Sequence, residues 1–430
     1  MAAQTGGGPA DDAPAKTGAW GLLILLTVIN VLNFVDRQLL PSFANFIKPD
    51  LGLTDTQFGL LTGLFFIIFY AVAGLFMGVL ADTTHRGRLI AVAIALWSLL
   101  TAASGLAKNF VSMAIPRGLI GIGESALTPT AMSLLADRFK PSQLGLAAGI
   151  YYLGVPVGAG ASLLIAGYLG PAIGWRNCFF LLGFGGLVLA GLMLFVRDPR
   201  PVRPKHEKGP SFASQVAALG GALARSPSLV AIMVGGVSLH FAVGAAAFDQ
   251  LWFVSERGFE RAEIAQITGF ITVVGGIAGN LFGGFVGDWW QKRFRSGRPM
   301  LLFWMMLVLT PLLIAYRIVP PNSPFFLVGV GVGIFSLAAF YGPTFACVQE
   351  LAPGKARATV TAFYILCLNV IGVGVGITGM GIVADLFRAQ GAAEPYSLGL
   401  LTFTILSTIA LPAFFLAGRW FKRDRDRLPV

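Results

Sequence analysis

Few ionisable residues interrupt the long apolar stretches of this 430-residue chain, and four of them have types and spacing suited to chemistry. Asp36 and Arg37 are consecutive. On a helix their side chains point about 100° apart, so they do not face one another. Arg117 and Glu124 are seven residues apart, two turns along one helix face. A charge at bilayer depth costs about 2.5–3.5 kcal/mol on insertion scales, which makes each such residue a functional candidate. Desolvation favours the protonated form of a carboxylate and a nearby guanidinium opposes it, so an arginine moving between two carboxylates switches proton binding. The chemistry expected is proton coupling, with Asp36 as carrier, Glu124 assisting and Arg37 as movable counter-ion. Arg117 is read as the partner of Glu124 or as an anchor for an anionic headgroup. A purely structural salt-bridge cluster between two helices is the alternative.

These residues need a scaffold, and composition names its solvent. The chain is 56% hydrophobic and 12% charged, about half the ~25% charge of soluble domains, with mean hydropathy +0.76. That is too little polar surface to keep a globule of this size in water. An ordinary cytosolic enzyme, a secreted disulfide scaffold and a disordered chain are all excluded. A span needs about 20 apolar residues. That rule gives twelve: 20–40, 57–81, 88–107, 110–135, 143–169, 176–196, 228–254, 263–287, 299–318, 324–349, 358–384 and 396–420. The expected fold is therefore an all-α membrane protein of twelve transmembrane helices in two pseudo-symmetric six-helix bundles, 20–196 and 228–420. A tail (1–19), a hydrophilic linker (197–227) and a basic tail (421–430) complete it, with kinks expected at Pro129, Pro156 and Pro343.

Cytoplasmic loops retain Lys and Arg. The tails and even-numbered loops carry 22 basic residues against 7 in the odd-numbered loops. Both termini are accordingly expected in the cytoplasm, with the chain in a bacterial inner membrane. The net charge of +11 needs no nucleic acid to explain it. The expected partners are the lipid bilayer and an amphiphilic small molecule, and the chain is expected to act as a monomer.

The halves repeat one another. Gly78-Val-Leu-Ala-Asp82 closes span two before a basic cluster, and Gly284-Phe-Val-Gly-Asp288 closes span eight before another. Asp137 to Pro141 after span four loosely matches Glu350 to Pro353 after span ten, and Gly154-Val-Pro-Val-Gly158 matches Gly372-Val-Gly-Val-Gly376. With Arg117-Gly-Leu-Ile-Gly-Ile-Gly-Glu124 in span four, these strings resemble the major facilitator superfamily. Asn33-Phe-Val-Asp36-Arg37, Tyr152-Leu-Gly-Val-Pro156-Val-Gly, Gly174-Trp175-Arg176 and the Asp82 to Arg86 spacing resemble its spinster group of lipid transporters, although Thr83 stands where the loop motif usually has a basic residue. The resemblance implies alternating access between the bundles and a single-chain lipid cargo, a lysophospholipid or sphingoid type. It also implies gating by Asp82 with Arg86 and by Asp288 with Arg293. Some of the same strings occur in organic-anion symporters, so a sugar-acid or aromatic-acid:proton symporter is the second reading.

Other residues carry weaker signals. Phe65, Tyr70, Tyr151, Tyr152, Phe340, Tyr341 and Asn369 are candidates for the cavity wall. Phe66, Phe69, Phe345 and Asn280 belong to the same group, and packing or interhelical bonding is the bland reading for all. His240 and Asp249 are nine residues apart in span seven, on nearly opposite faces. His240 reads as a proton sensor or a packing residue, and Asp249 as a gate contact to Arg257 or Arg261, or a wet residue. Three histidines without catalytic or metal spacing, and no G-x-S-x-G, H-E-x-x-H, C-x-x-C or Walker A string, argue against an enzyme, a metal site or an ATP-driven pump. Cys178, Cys347 and Cys367 have no ligand spacing either. The coupling proton is the one cofactor expected. Fusing a fluorescent protein or alkaline phosphatase to the C-terminus tests the orientation: the first should fluoresce and the second stay inactive in intact cells.

Overall fold

The computed structural model describes residues 18–198 and 212–427. The N-terminal tail expected over 1–19, the middle of the linker and the last three residues thus lie largely or wholly outside the described residues. Among those described, regular structure is helical throughout. Eleven helical stretches are long and apolar enough to cross a membrane. The longest, Ser142–Leu194, has 53 residues and would measure about 80 Å if straight, against a hydrocarbon core of about 30 Å. It breaks at Gly174, where φ is 79° and ψ 155°, a left-handed backbone that a side chain would strain. Trp175, just past the break, donates to Asp50 near the end of span one, and Asp198 receives Arg86 at the start of span three. The chain therefore returns across the bundle after Gly174, and the eleven stretches make twelve spans.

Both described ends lie on one face, called here the tail face; the opposite one is the far face. Several spans are interrupted, span two at Gly63 and span twelve after Ser407 among them. Span four runs Phe110–Glu124 then Leu127–Arg138, and span five Pro141–Tyr152 then onward from Gly154. Span seven carries a 3-10 turn, Ala246–Phe248, and span eleven a π-helical stretch, Cys367–Gly374. Two of the expected kinks fall at these breaks. Pro129 and Pro156 are the third residues of resumed helices, where a missing N–H costs no intrahelical bond. Pro343 lies inside the continuous helix Pro324–Leu351.

The repeat seen in the sequence is physical. Gly154 and Gly158 receive span one: a Cβ on Gly158 would stand 2.5 Å from the Val31 carbonyl oxygen, and one on Gly154 would meet Asn30. Gly372 and Gly376 receive span seven in the same way, Gly376 against the Phe241 carbonyl and Gly372 against His240. Asn30 and His240 thus occupy equivalent places. The same register puts Ala246 and Ala247 where the first half has Asp36 and Arg37. On the far face, Asp50 takes the Trp175 indole and the Arg176 guanidinium, while Glu256 takes the backbone N–H groups of Tyr396 and Ser397. In each half an acid after the first span grips the start of the sixth.

The bundles meet along two seams. Span five lies on span eight, Pro156 against Gly276 and Gly160 against Gly269. Span two lies on span eleven, Gly59 and Gly63 against Ile377 and Thr378. Hydrogen bonds reinforce the seams at the far face. Asp385 accepts from the Thr56 N–H at 2.8 Å and its hydroxyl at 2.7 Å. Asp55 pairs with Lys48 at 2.8 Å, with Arg388, and with the Tyr396 hydroxyl at 2.7 Å. Asn45 donates to the Gln250 carbonyl, and Gln266 to the Gly167 carbonyl. On the tail-face half of span five, by contrast, Cβ positions on Gly145 and Gly149 would meet no described atom within 4 Å.

Span eight also leans on span ten: a Cβ on Gly283 would stand 2.3 Å from the Ala339 carbonyl oxygen, whereas one on Gly284 would meet nothing within 4 Å. Alanine gains about 1 kcal/mol of helix propensity at either position, but overpacking costs about 1–3 kcal/mol. Gly283→Ala should lower the thermal unfolding temperature in detergent, and Gly284→Ala should hold or raise it.

Candidate functional site

Spans one and four meet near mid-depth, bringing the four charges of the first half together. The Arg37 Nε donates to Glu124 Oε2 at 2.7 Å, and Arg37 alone of the four keeps a useful share of its side chain, 19%, exposed. Its guanidinium lies 4.4 Å from the Tyr70 ring centroid, 5.1 Å from Phe34 and 5.4 Å from Phe66. Ring faces attract cations in such an arrangement. Tyr151 lies within electrostatic reach of Arg37 and Tyr70, and Tyr152 of Tyr70. Tyr151 is fully buried with its hydroxyl 3.4 Å from that of Thr128, while Tyr152 is 46% exposed. Of the cavity candidates, Tyr70 covers Arg37, while Tyr151 and Tyr152 pack edge-on against one another.

Arg117 behaves differently from either expectation. Its Nη2 donates to the Arg37 backbone carbonyl at 2.9 Å and its Nη1 to that of Asp36 at 3.3 Å. Its guanidinium covers the Phe66 ring at 4.7 Å. Glu124 and Asp36 lie within electrostatic reach, yet Glu124 is paired to Arg37. Asp36 is buried, faces Arg117 and Glu124 across the contact, and has Trp97 and Thr101 of span three reaching toward it. Its Oδ1, like Glu124 Oε1, makes no hydrogen bond. Buried polar atoms without partners are uncommon. Here two carboxylate oxygens in one cluster have room to take a proton.

The remaining candidates scatter. Phe65 packs edge-on against Phe110, 5.9 Å away, and not with the tyrosines. Phe340 is fully buried between His240, Tyr341 and Phe414 in the core of the second bundle, where it lines a small apolar pocket with Leu239, Met306 and Phe414. Tyr341 stacks on Phe345 and meets His240 Nε2 at 3.1 Å. His240 Nδ1 lies 2.7 Å from the Gly236 carbonyl, which only accepts, so Nδ1 carries the hydrogen and Nε2 takes the Tyr341 hydroxyl's. That is a satisfied packing histidine. Asn369 turns its amide back to the Ile365 carbonyl within the π-helical stretch, while Phe69 and Asn280 are exposed. Asp249 pairs with Arg317 at 2.7 Å, not with Arg257 or Arg261. Arg257 goes to Glu394 and Ser397, and Arg261 covers Phe46 of the first bundle.

The expected gate pairs are rearranged too. The side chain of Asp82 lies outside the described residues. Arg86 is fully buried and held by Asp198 at 2.5 Å, Asp137 at 2.6 Å and Ser133 at 2.9 Å, all within its own half. Asp288 pairs with Arg298 at 2.8 Å, not with Arg293, which is exposed. Arg298 also reaches Glu350 at 3.1 Å. An arginine opening the third span of each half thus grips an acid closing the fourth. The loose match of Asp137 with Glu350 in the sequence was the signal for this, masked by the more regular G-x-x-x-D strings.

Comparison with known proteins gives the same outline. The family model described as Major Facilitator Superfamily matches residues 26–377. An MFS-type efflux pump of Mycolicibacterium smegmatis is 28% identical over 412 residues, 94% of each chain. The hexuronate transporter of Bacillus subtilis is 28% identical over 90% of this chain and 93% of its own. Protein spinster of Drosophila melanogaster is 26% identical over 89% of this chain, which spans 65% of that protein. Among solved structures, a bacterial homologue of the human lysosomal transporter Spinster, inward-facing and unoccupied, superposes with a TM-score of 0.82. It shares 23% identity and covers 96% of this chain and 99% of its own, a likeness of fold.

Removing Arg86 would take away the guanidinium that binds the buried Asp198 carboxylate, and breaking a buried pair costs about 3–5 kcal/mol. Arg86→Ala should therefore unfold at a much lower temperature, while Arg293→Ala, at an exposed site, should stay within about 0.5 kcal/mol of the parent.

Proposed function

Because the chain belongs to the major facilitator superfamily, we propose that it is a proton-coupled secondary transporter moving a single-chain lipid, of the lysophospholipid or sphingoid type, by alternating access of its two bundles. The observation that carries this reading is the Arg37–Glu124 ion pair at an exposed edge, with the unpartnered Asp36 Oδ1 behind it. Asp36 and Glu124 hold the proton, and Arg37 is the counter-ion a substrate can claim. When an anionic headgroup reaches Arg37, Glu124 loses its partner, and a proton restores neutrality within the cluster. Headgroup and proton then favour one another's binding, which is the thermodynamic requirement for coupling. The rings of Phe34, Phe66 and Tyr70 beside that guanidinium suit an amphiphile better than a fully hydrated ion.

The far-face bonds at Asp55, Asp385 and Arg388 close one side of the bundle pair, and the parted tail-face half of span five supports access from the other. The loop charges support a tail face in the cytoplasm of a bacterial inner membrane, and with it an inward-open reading of this conformation. The protein works as a monomer within the bilayer. An organic-anion:proton symporter is the second reading, favoured by the similarity to the hexuronate transporter. The engagement of Arg117 with main-chain carbonyls weakens it, since a single arginine remains for a carboxylate.

Purified protein in proteoliposomes should take up a fluorescent lysophospholipid faster under an inward proton gradient. Asp36→Asn should abolish the gradient-driven component while leaving the protein folded. Gradient-driven glucuronate uptake, without lysophospholipid movement or competition, would transfer the assignment to the second reading.

A further inference from the structure

Span one is continuous from Ala19 to Ser42 and contains Pro41. A proline inside a helix has no N–H to give to the carbonyl four residues earlier. The carbonyl left open is that of Arg37. In the hydrocarbon region no water replaces the lost donor, so the group must be satisfied by another part of the protein. The donor observed is Arg117 Nη2, at 2.9 Å, with Nη1 of the same guanidinium 3.3 Å from the preceding carbonyl, that of Asp36. Arg117 is buried, makes no ion pair with a carboxylate among the described residues, and leaves its Nε without a partner. Its planar fork is spent on the backbone of span one.

We propose that Arg117 is a positioning residue: it supplies in trans the hydrogen bond that Pro41 removes, and so fixes the stretch of backbone from which Asp36 and Arg37 project. Span four then controls the aim of Arg37 twice, through Glu124 on its side chain and through Arg117 on its carbonyl. A guanidinium suits this task because it donates two parallel bonds and stays charged, which a lysine ammonium cannot reproduce in geometry. The role of Arg117 in transport rests on the transporter reading above, whereas the bond between Arg117 and the carbonyl opened by Pro41 does not.

The test is rescue. Pro41→Ala returns an N–H to the Arg37 carbonyl and makes Arg117 partly dispensable. Arg117→Gln, Arg117→Lys, Pro41→Ala and the double variant P41A/R117Q are compared in two measurements. The first is thermal unfolding in detergent, which needs no substrate. The second is gradient-driven lysophospholipid uptake as a function of pH. Arg117→Gln should lower the unfolding temperature and cut uptake by roughly tenfold, the worth of a charged hydrogen bond, with Arg117→Lys intermediate. The double variant should recover most of both losses and the parent's pH profile. If Arg117→Gln does not accumulate, accumulation of the double variant is the rescue. Unfolding shifts that simply add would overturn the clamp. Recovered stability without recovered uptake would overturn the positioning role and return Arg117 to direct contact with substrate or proton. Failure of the parent protein to move lysophospholipid would sink the transport reading, leaving the unfolding cycle to decide the clamp.

Discussion

Lipid tails are as apolar as leucine, so helices in a bilayer gain little by hiding apolar side chains from one another. What they gain comes from close approach, and close approach needs missing side chains. This structure depends on that constraint at every level. Within each half, a pair of glycines four residues apart admits the first span against the fifth. Between the halves, further glycines let span five touch eight and span two touch eleven. Because these seams are thin and apolar, they carry little directional bonding of their own. Direction comes from the far face, where Asp385 caps the start of span two from another helix and Asp55 collects Lys48, Arg388 and Tyr396. A carboxylate at a helix N-terminus is favourable through both its hydrogen bonds and the helix dipole. Bonds of this kind can be exchanged for water, unlike the packing within a half.

The charges at mid-depth obey a second constraint, which is that nothing polar stays there unbalanced at low cost. Two arginines and two carboxylates sum to zero. Their arrangement is not a simple square of ion pairs. One arginine takes a carboxylate and three aromatic rings, and the other takes backbone carbonyls and one ring. Two carboxylate oxygens are left over, with the unpaired donors of Asn33, Trp97 and Thr101 close to them. The buried Arg86 and Asp198 on the tail face offer a contrast, since every part of that guanidinium fork has a partner.

Much of this was legible from one sequence. Hydropathy located all twelve spans, because about 20 apolar residues admit few other readings. The glycine repeats located the halves, and the scarcity of buried charge located Asp36, Arg37, Arg117 and Glu124. Partners were not legible. The seven-residue spacing of Arg117 and Glu124 correctly put them on one face, but spacing does not tell whether a side chain meets a side chain or a carbonyl. The clue lay in Pro41, a residue on a different helix. Asp249 was paired with neighbours in sequence, whereas its partner Arg317 comes from span nine. Which phenylalanines line space was not legible either, because phenylalanine serves lipid, core and cavity alike, and 35 of them in one chain give no pattern to separate the uses. The π-helical stretch in span eleven had no local signal beyond its glycines.

The two halves share their glycine seams, their far-face acid grips and their tail-face arginine clusters, yet at the register of Asp36 and Arg37 the second half has Ala246 and Ala247. Duplication made two copies of a scaffold, and one of them bears the four-charge cluster while the other keeps the single Asp249–Arg317 pair. In evolutionary terms that is a division of labour. The charged copy is held fast by its electrostatic bookkeeping, where one altered residue unbalances three others. The second copy lacks that four-way balance, and its aromatic residues such as Tyr341 and Phe345 can change without unbalancing the cluster. A lineage built this way varies its second half more readily than its first.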